Sequence, residues 1–231
     1  MAVFSVLVLT AAPPGQATEA GGAFVKVDGR EALLRSVELF LNRDNVKQVQ
    51  VAVPSDALEE SKRKYGPHLS FSGVKLFGAG VKWMEQIAAA GDRIAPECTH
   101  IIVHDGARPA VPYGDLEALM AEAEKRDAVA LAAPVRSTLV EVDEGGNALA
   151  YHLPRSFMHL LTPQAYSREK FLEMAKTQKE IHPSQATLVK GSSLNIRIGG
   201  PGDAGLAKTM LAMLPKHKVR PPSSPFEEAQ W

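Results

Sequence analysis

Residues 101–109 read Ile101-Ile102-Val103-His104-Asp105-Gly106-Ala107-Arg108-Pro109, and they constrain the fold more than any other stretch. Three β-branched residues in a row fit a strand of a parallel sheet buried on both faces. A carboxylate, a glycine, an arginine and a proline then end it, since proline cannot donate to a ladder. In open α/β sheets ligands lie just beyond the carboxyl ends of the strands. An acid followed three residues later by an arginine at such an end can hold a metal and a phosphate together. In the alternative reading Asp105 caps the next turn and Arg108 is a solvated charge; the spacing alone favours neither.

The flanking segments alternate in the way this strand requires. Val3 to Leu9 reads as a first strand, followed by small residues from Thr10-Ala11-Ala12-Pro13-Pro14-Gly15 to Gly21-Gly22. That loop has neither Walker spacing nor Gly-x-Gly-x-x-Gly, and no basic residue before Lys26, so by itself it reads as a flexible surface loop. Leu33, Leu34, Val37 and Leu41 recur at helical spacing, and Val49, Val51 and Val53 alternate as a strand does. Ser55 is the expected N-cap of a second helix with Leu58 facing inward. Val74 to Phe77 is a short strand, and a helix is expected from Val81 to Ala90. Asp115 is the expected cap of a helix Leu116 to Lys125, and Ala128 to Ala133 is another buried strand. The alternation predicts a mostly parallel sheet flanked by helices, with right-handed crossovers.

The rhythm breaks after Pro134. Thr138 to Val142 and Ala148 to Leu153 flank Asp143-Glu144-Gly145-Gly146-Asn147, which predicts a β-hairpin standing off the main sheet within an arm of about 136–157. An isolated hairpin is marginal in water, so a second subunit is the natural surface for it. Thr162 to Tyr166 returns to the core, and a helix runs from Ser167 to Thr177. Thr187 to Val189 and Asn195 to Ile198 are expected as the last strands. Asp203 to Leu214 is a closing helix with Leu206, Met210 and Met213 on one side. Residues 1–214 thus read as one domain and 215–231 as a mobile tail.

Composition removes several function classes. The 231 residues carry 26 basic and 26 acidic side chains, a zero balance that gives no bulk attraction to nucleic acid or a membrane surface. Met1 to Leu9 is apolar but lacks the basic start of a signal peptide, and no stretch reaches the ~20 apolar residues of a membrane span. The single cysteine, Cys98, excludes an internal disulfide, fits a reducing cytoplasm, and reads as a small filler. His152, His159 and His182 lack metal-ligand spacing. Trp83 reads as core, Asp143 and Glu144 as a solvated turn, and His104 as a hydrogen-bonded packing residue.

Four segments in register carry a resemblance. His104-Asp105-Gly106-Ala107-Arg108-Pro109 is similar to the His-Asp-Ala-Ala-Arg-Pro signature of the 2-C-methyl-D-erythritol 4-phosphate cytidylyltransferase family. Pro134-Val135-Arg136-Ser137-Thr138 resembles its Pro-Val-x-Asp-Thr segment. Arg155-Ser156 with Leu161-Thr162-Pro163-Gln164-Ala165-Tyr166 resembles its Arg…Thr-Pro-Gln-x-Phe, and Gly191 to Ile198 its Gly-x-x-x-Asn-Ile-Lys-Ile. The resemblance implies a Rossmann-like nucleotidyltransferase fold and a homodimer interlocked through the hairpin arm. It also implies transfer from CTP to methylerythritol phosphate with Mg²⁺, releasing pyrophosphate, in isoprenoid precursor synthesis in the cytoplasm. By position, Asp105 would hold Mg²⁺ and act in catalysis with Arg197, which replaces the family's lysine. Arg108, Thr138, Arg155 and Thr162 would bind the polyol phosphate. Ala11, Ala12, Gly15, Gly78 and His104, with Asp105, would meet the nucleotide.

The resemblance fails at the first loop. The family's Gly-x-Gly-x-Arg-Met and later Pro-Lys-Gln-Tyr supply an arginine and a lysine for the triphosphate; by count these fall on Ala17 and Gly22. The family's Arg-x-x-Ser-Val is also absent, Gly80 to Met84 occupying its region. Lys26 and Lys82, and less directly Arg30, are the nearest substitutes in sequence. An inactive paralogue that binds a phosphorylated small molecule or a partner, and a nucleotidyltransferase for another polyol or sugar phosphate, are the alternatives.

Overall fold

A computed structural model describes residues 2–16 and 21–215. The expected arginine position, Ala17, and all but the first residue of the expected tail lie outside them. In chain order come β1 (Phe4–Leu9), a two-residue pair β2 (Lys26–Val27) and β3 (Arg30–Glu31), α1 (Ala32–Glu38), β4 (Val46–Pro54), α2 (Leu58–Phe71), β5 (Lys75–Ala79), α3 (Trp83–Ala90) and β6 (His100–Asp105). There follow α4 (Tyr113–Ala123), β7 (Ala128–Pro134), the hairpin β8 (Leu139–Val142) and β9 (Ala148–His152), β10 (Met158–Ser167), α5 (Arg168–Thr177), β11 (Thr187–Lys190) and α6 (Ala204–Met213).

Seven strands form one sheet in the order β11-β7-β10-β6-β1-β4-β5. β6, β1, β4 and β5 pair in parallel, while β10 runs antiparallel to both β6 and β7. The strand period of two sends alternate residues of β1 to opposite faces, both dry. Phe4, Val6 and Val8 join Leu33, Val37, Leu69, Leu116 and Leu119 on the face covered by α1, α2 and α4. Leu7 and Leu9 join Trp83, Ile87, Phe171 and Met174 beneath α3 and α5. Burial on both sides at roughly 1.5–3 kcal/mol for each large side chain is what lets β1 and β6 carry a continuous apolar run.

The sheet's connectivity fixes where a ligand can enter. From β1 the chain moves outward to β4 and β5, then returns to lay β6 on the other side of β1. The outgoing connections therefore diverge at the carboxyl ends of β1 and β6, the topological switch point of this architecture. Among the described residues no helix is long and apolar enough to cross a membrane.

Several local expectations are corrected. Ser55 does not cap α2; it starts a 3₁₀ turn and its hydroxyl donates to the Ala79 carbonyl at 3.0 Å. Asp115 lies inside α4, whose N-cap is Pro112, and its carboxylate accepts from the Ser192 amide at 2.6 Å. Asn195 to Ile198 is irregular rather than a strand, since Ile198 donates to the Ala107 carbonyl and not to a sheet neighbour. On α6 the inward residue is Ala207, while Leu206 and Met213 are exposed. Apolar residues ring that helix, so periodicity could not choose the face; the small alanine allows the closest approach. Trp83 and Cys98 are buried core residues as expected, burial pushing the Cys98 thiol's pKa up.

Candidate active site

Asp105 ends β6 with its side chain wholly buried. One carboxylate oxygen accepts from the Ala107 amide at 2.9 Å and the other from Arg197 Nε at 2.8 Å, with Arg108 Nε at 3.7 Å. Burial raises this carboxyl above its ordinary pKa, while Arg197, the Ala107 amide and Arg108 pull it back. Arg108 is itself buried and donates through Nη1 to the Asn195 carbonyl at 2.8 Å.

Beneath Asp105 runs a directional hydrogen-bond chain. The Asp105 amide donates to Thr162 Oγ1 at 3.1 Å, leaving the Thr162 hydroxyl hydrogen for His104 Nδ1 at 3.2 Å. His104 Nε2 must then be protonated, because it lies 3.1 Å from the Arg108 carbonyl, which only accepts. Burial first, and the nearby Arg108 charge second, push the His104 pKa down to about 3. The imidazole is therefore neutral near pH 7, and its links fix the Asp105–Arg108 turn from both ends.

A cavity of about 580 Å³ opens beside this turn, lined among others by Gln16, Arg108, Arg136, Ser193, Asn195 and Arg197. It runs from the first loop to the root of the arm. Among the described residues three guanidinium groups and no carboxylate line it, so an anion is the ligand their charge suits.

The other expected site residues fall elsewhere. Thr162 is 2% exposed with its hydroxyl committed as described; it supports Asp105 and does not face the cavity. Thr138 and Arg155 lie on the exposed arm and do not line this chain's own cavity. His104 is fully buried and offers no surface to a nucleotide, and the packing reading is the correct one. On the β1 side, the Thr10 and Ala11 amides both donate to the buried Gln86 Oε1 at 3.1 Å, and Gln86 Nε2 donates to the Gly80 carbonyl at 3.2 Å. Ala11 thus has its amide satisfied from within; Ala12, Gly15 and Gly78 also lie away from the cavity lining. Gln86, Arg136 and Asn195 are the residues that sequence reasoning passed over. Arg136 stood inside a matched segment, and Asn195 was read as part of a strand.

None of the proposed substitute cations lines the cavity. Lys26 and Lys82 are exposed elsewhere, and Arg30 pairs with Glu38. Gly22, the position at which the motif count expects the family's lysine, is packed so that a Cβ would overlap the Ile198 carbonyl oxygen and approach Ala107 Cβ to 3.3 Å.

The family's sequence profile, described as 2-C-methyl-D-erythritol 4-phosphate cytidylyltransferase, matches residues 5–213. The chain belongs to this family. A relative of that name from Rhodopirellula baltica is 27% identical over 230 residues, covering 89% of this chain and 93% of its own. One from Escherichia coli O1:K1 is 30% identical over 210 residues, covering 84% and 87%. Among solved structures, the cytidylyltransferase from Thermus thermophilus superposes with a TM-score of 0.70 at 25% identity, covering 92% of this chain and all of its own. The 4-diphosphocytidyl-2C-methyl-D-erythritol synthase of Anaerococcus prevotii gives 0.74 at 16% identity, a likeness of fold. The Rossmann-like nucleotidyltransferase architecture is thus shared.

The side chains around Asp105 do not suit the divalent metal that the resemblance implies. Both oxygens of Asp105 are already hydrogen-bonded, and the nearest groups, Ala107 N, Arg197 and Arg108, are donors that cannot ligate a cation. Among the described residues no three His, Cys, Asp or Glu side chains gather as a metal site. As arranged, the residues do not fit Mg²⁺ coordination by Asp105.

Proposed function

We propose that this chain transfers the cytidylyl group of CTP to the phosphate of methylerythritol phosphate, releasing pyrophosphate, in isoprenoid precursor synthesis in the cytoplasm. Family membership supports the reaction, and the observation that carries the assignment of a site is the cavity walled by Arg108, Arg136 and Arg197. An acceptor phosphate oxygen forms a new bond to the α-phosphorus of CTP while the bond to the pyrophosphate oxygen breaks, the attacking and leaving oxygens in line. No protein nucleophile is required. The guanidinium groups hold both anions together and oppose the charge that grows on the transferring phosphoryl oxygens. Asn195 and the Thr162–His104 chain keep Arg108 and Asp105 from drifting.

Pyrophosphate release with CTP and methylerythritol phosphate, with and without Mg²⁺, tests this. Arg108→Gln is expected to lower kcat/KM about a hundredfold or more while the purified chain stays folded. Equal rates for the variant and the wild type would refute the assignment. The engaged Thr10 and Ala11 amides and the closed space at Gly22 favour a second reading, in which the polyol phosphate binds but turns over very slowly. Calorimetric binding of methylerythritol phosphate without product over long incubation would establish it.

The proposal includes a homodimer through the arm. Val140, Val142, Leu149 and Tyr151 on β8 and β9 are exposed, as are Met158 and Leu160 at the start of β10. Exposed apolar residues in this number on one arm mark an interface. In the dimer Thr138 and Arg155 would serve the partner's cavity. Leu149→Asp combined with Tyr151→Asp is expected to convert the dimer to a monomer on gel filtration; an unchanged elution volume would remove the arm from the interface.

A further inference from the structure

Asp105 is surrounded by cations of the protein's own. Arg197 reaches it from residues 191–200, a stretch with no place in the sheet, and its Nε sits 2.8 Å from one carboxylate oxygen. Arg108 adds a second positive charge 3.7 Å away, and the carboxylate has no exposed surface. Two guanidinium groups bear on this one carboxylate in a water-excluded place, where a divalent ion would meet their repulsion more strongly than in water. Mg²⁺ needs near-octahedral oxygen ligands at about 2.0–2.1 Å, and this carboxylate already accepts from two N–H donors, the Ala107 amide and Arg197 Nε, one on each oxygen.

The Arg197–Asp105 contact also has a structural consequence. Together with the Ile198 amide on the Ala107 carbonyl and Arg108 on the Asn195 carbonyl, it fastens the irregular stretch to the end of β6. These three links build the wall of the cavity from two pieces of chain 92 positions apart. An ammonium is a point charge; the guanidinium presents Nε–H to the carboxylate in a fixed direction and still lines the cavity.

We propose that Arg197 is an internal counter-ion standing where a divalent cation would otherwise meet Asp105, so that this carboxylate builds the cationic wall without ligating metal. The inference deepens the cytidylyltransferase reading, since it concerns the phosphate side of the same cavity. It places the metal-independent part of anion binding on Arg197 and Arg108, held in position by a buried carboxylate.

A double-mutant cycle with Asp105→Asn and Arg197→Gln, read by urea unfolding of the full chain in EDTA and in Mg²⁺, tests it. Each single variant removes one side of the Arg197–Asp105 contact at a buried carboxylate, so each is expected to lower the folding equilibrium constant by more than about tenfold. The double variant should lose less than the product of the two, by a coupling of about tenfold or more, unchanged by Mg²⁺. Coupling below about twofold, or a wild type stabilised about tenfold by Mg²⁺, overturns the proposal. A titration of the wild type with Mn²⁺ followed by electron paramagnetic resonance requires no variant to fold. No uptake up to about 1 mM supports the internal counter-ion, and one equivalent bound overturns it. Neither experiment contains nucleotide or acceptor, so failure here is distinguishable from failure of the proposed reaction.

Discussion

Gly22→Ala is expected to destabilise the protein by about 3 kcal/mol, at the upper end of what overpacking usually costs. The reason is space. Gly22 opens a short 3₁₀ turn just after the residues that follow β1, pressed against the Ile198–Ala107 contact. An added Cβ would overlap the Ile198 carbonyl oxygen, lie 3.1 Å from its carbon and meet Ala107 Cβ at 3.3 Å. These are backbone and short side-chain atoms that cannot swing aside, unlike the end of a lysine or glutamate. Relief would require Ile198 to move, which breaks its amide bond to the Ala107 carbonyl and loosens the stretch bearing Arg197. Urea unfolding should show a lower midpoint with an unchanged slope. A variant as stable as the wild type would mean that the loop has room. Gly22→Lys, which puts a lysine where the motif count expects the family's, meets the same overlap and is expected to unfold more readily still.

The strand–helix alternation was legible because β1, β4 and β6 are rich in branched apolar residues and β7 is a run of small apolar ones, a signal that needs no tertiary context. The arm was legible for the opposite reason: its strands flank a turn so rich in glycine that only a hairpin fits. β10 gave no such pattern, as Thr162-Pro163 interrupts it, the register shifts between Leu160 and Gln164, and proline has no amide for the ladder. Ile196 and Ile198 alternate like strand residues, yet their stretch is held by contacts with Ala107 and Arg108 that sequence spacing cannot show.

At the site, Asp105, Arg108 and Arg197 were identified from the matched motifs, and the structure brings them together. Their state was not legible. Charge type says nothing about whether a carboxylate faces water or two guanidinium groups, because that depends on residues 92 positions apart in the chain. Gln86 was missed since an amide on an apolar helix face leaves no periodic trace; it becomes meaningful only once the Thr10 and Ala11 amides are seen to point at it.

Acidification supplies the other large effect, through His104. An unfolded histidine has its ordinary pKa of 6.5, whereas the buried ring is held at about 3. Between these values the unfolded chain carries one more proton than the folded chain, so stability rises with pH. The contribution is fully present above pH 6.5 and is lost as pH falls toward 3, at roughly 1.4 kcal/mol for each pH unit. A proton forced onto Nδ1 would turn an acceptor into a donor facing the Thr162 hydroxyl, and the chain from the Asp105 amide to the Arg108 carbonyl would have to be rebuilt. His104→Gln, which has no titrating group, should reduce the slope of unfolding free energy against pH by about one proton between pH 6 and pH 4. The comparison isolates His104, since the carboxylates that titrate in the same range are common to both proteins. Urea unfolding at several pH values gives the two slopes. Parallel lines would show that the imidazole is not held neutral in the native state, and the support assigned to the Asp105–Arg108 turn would fall with it.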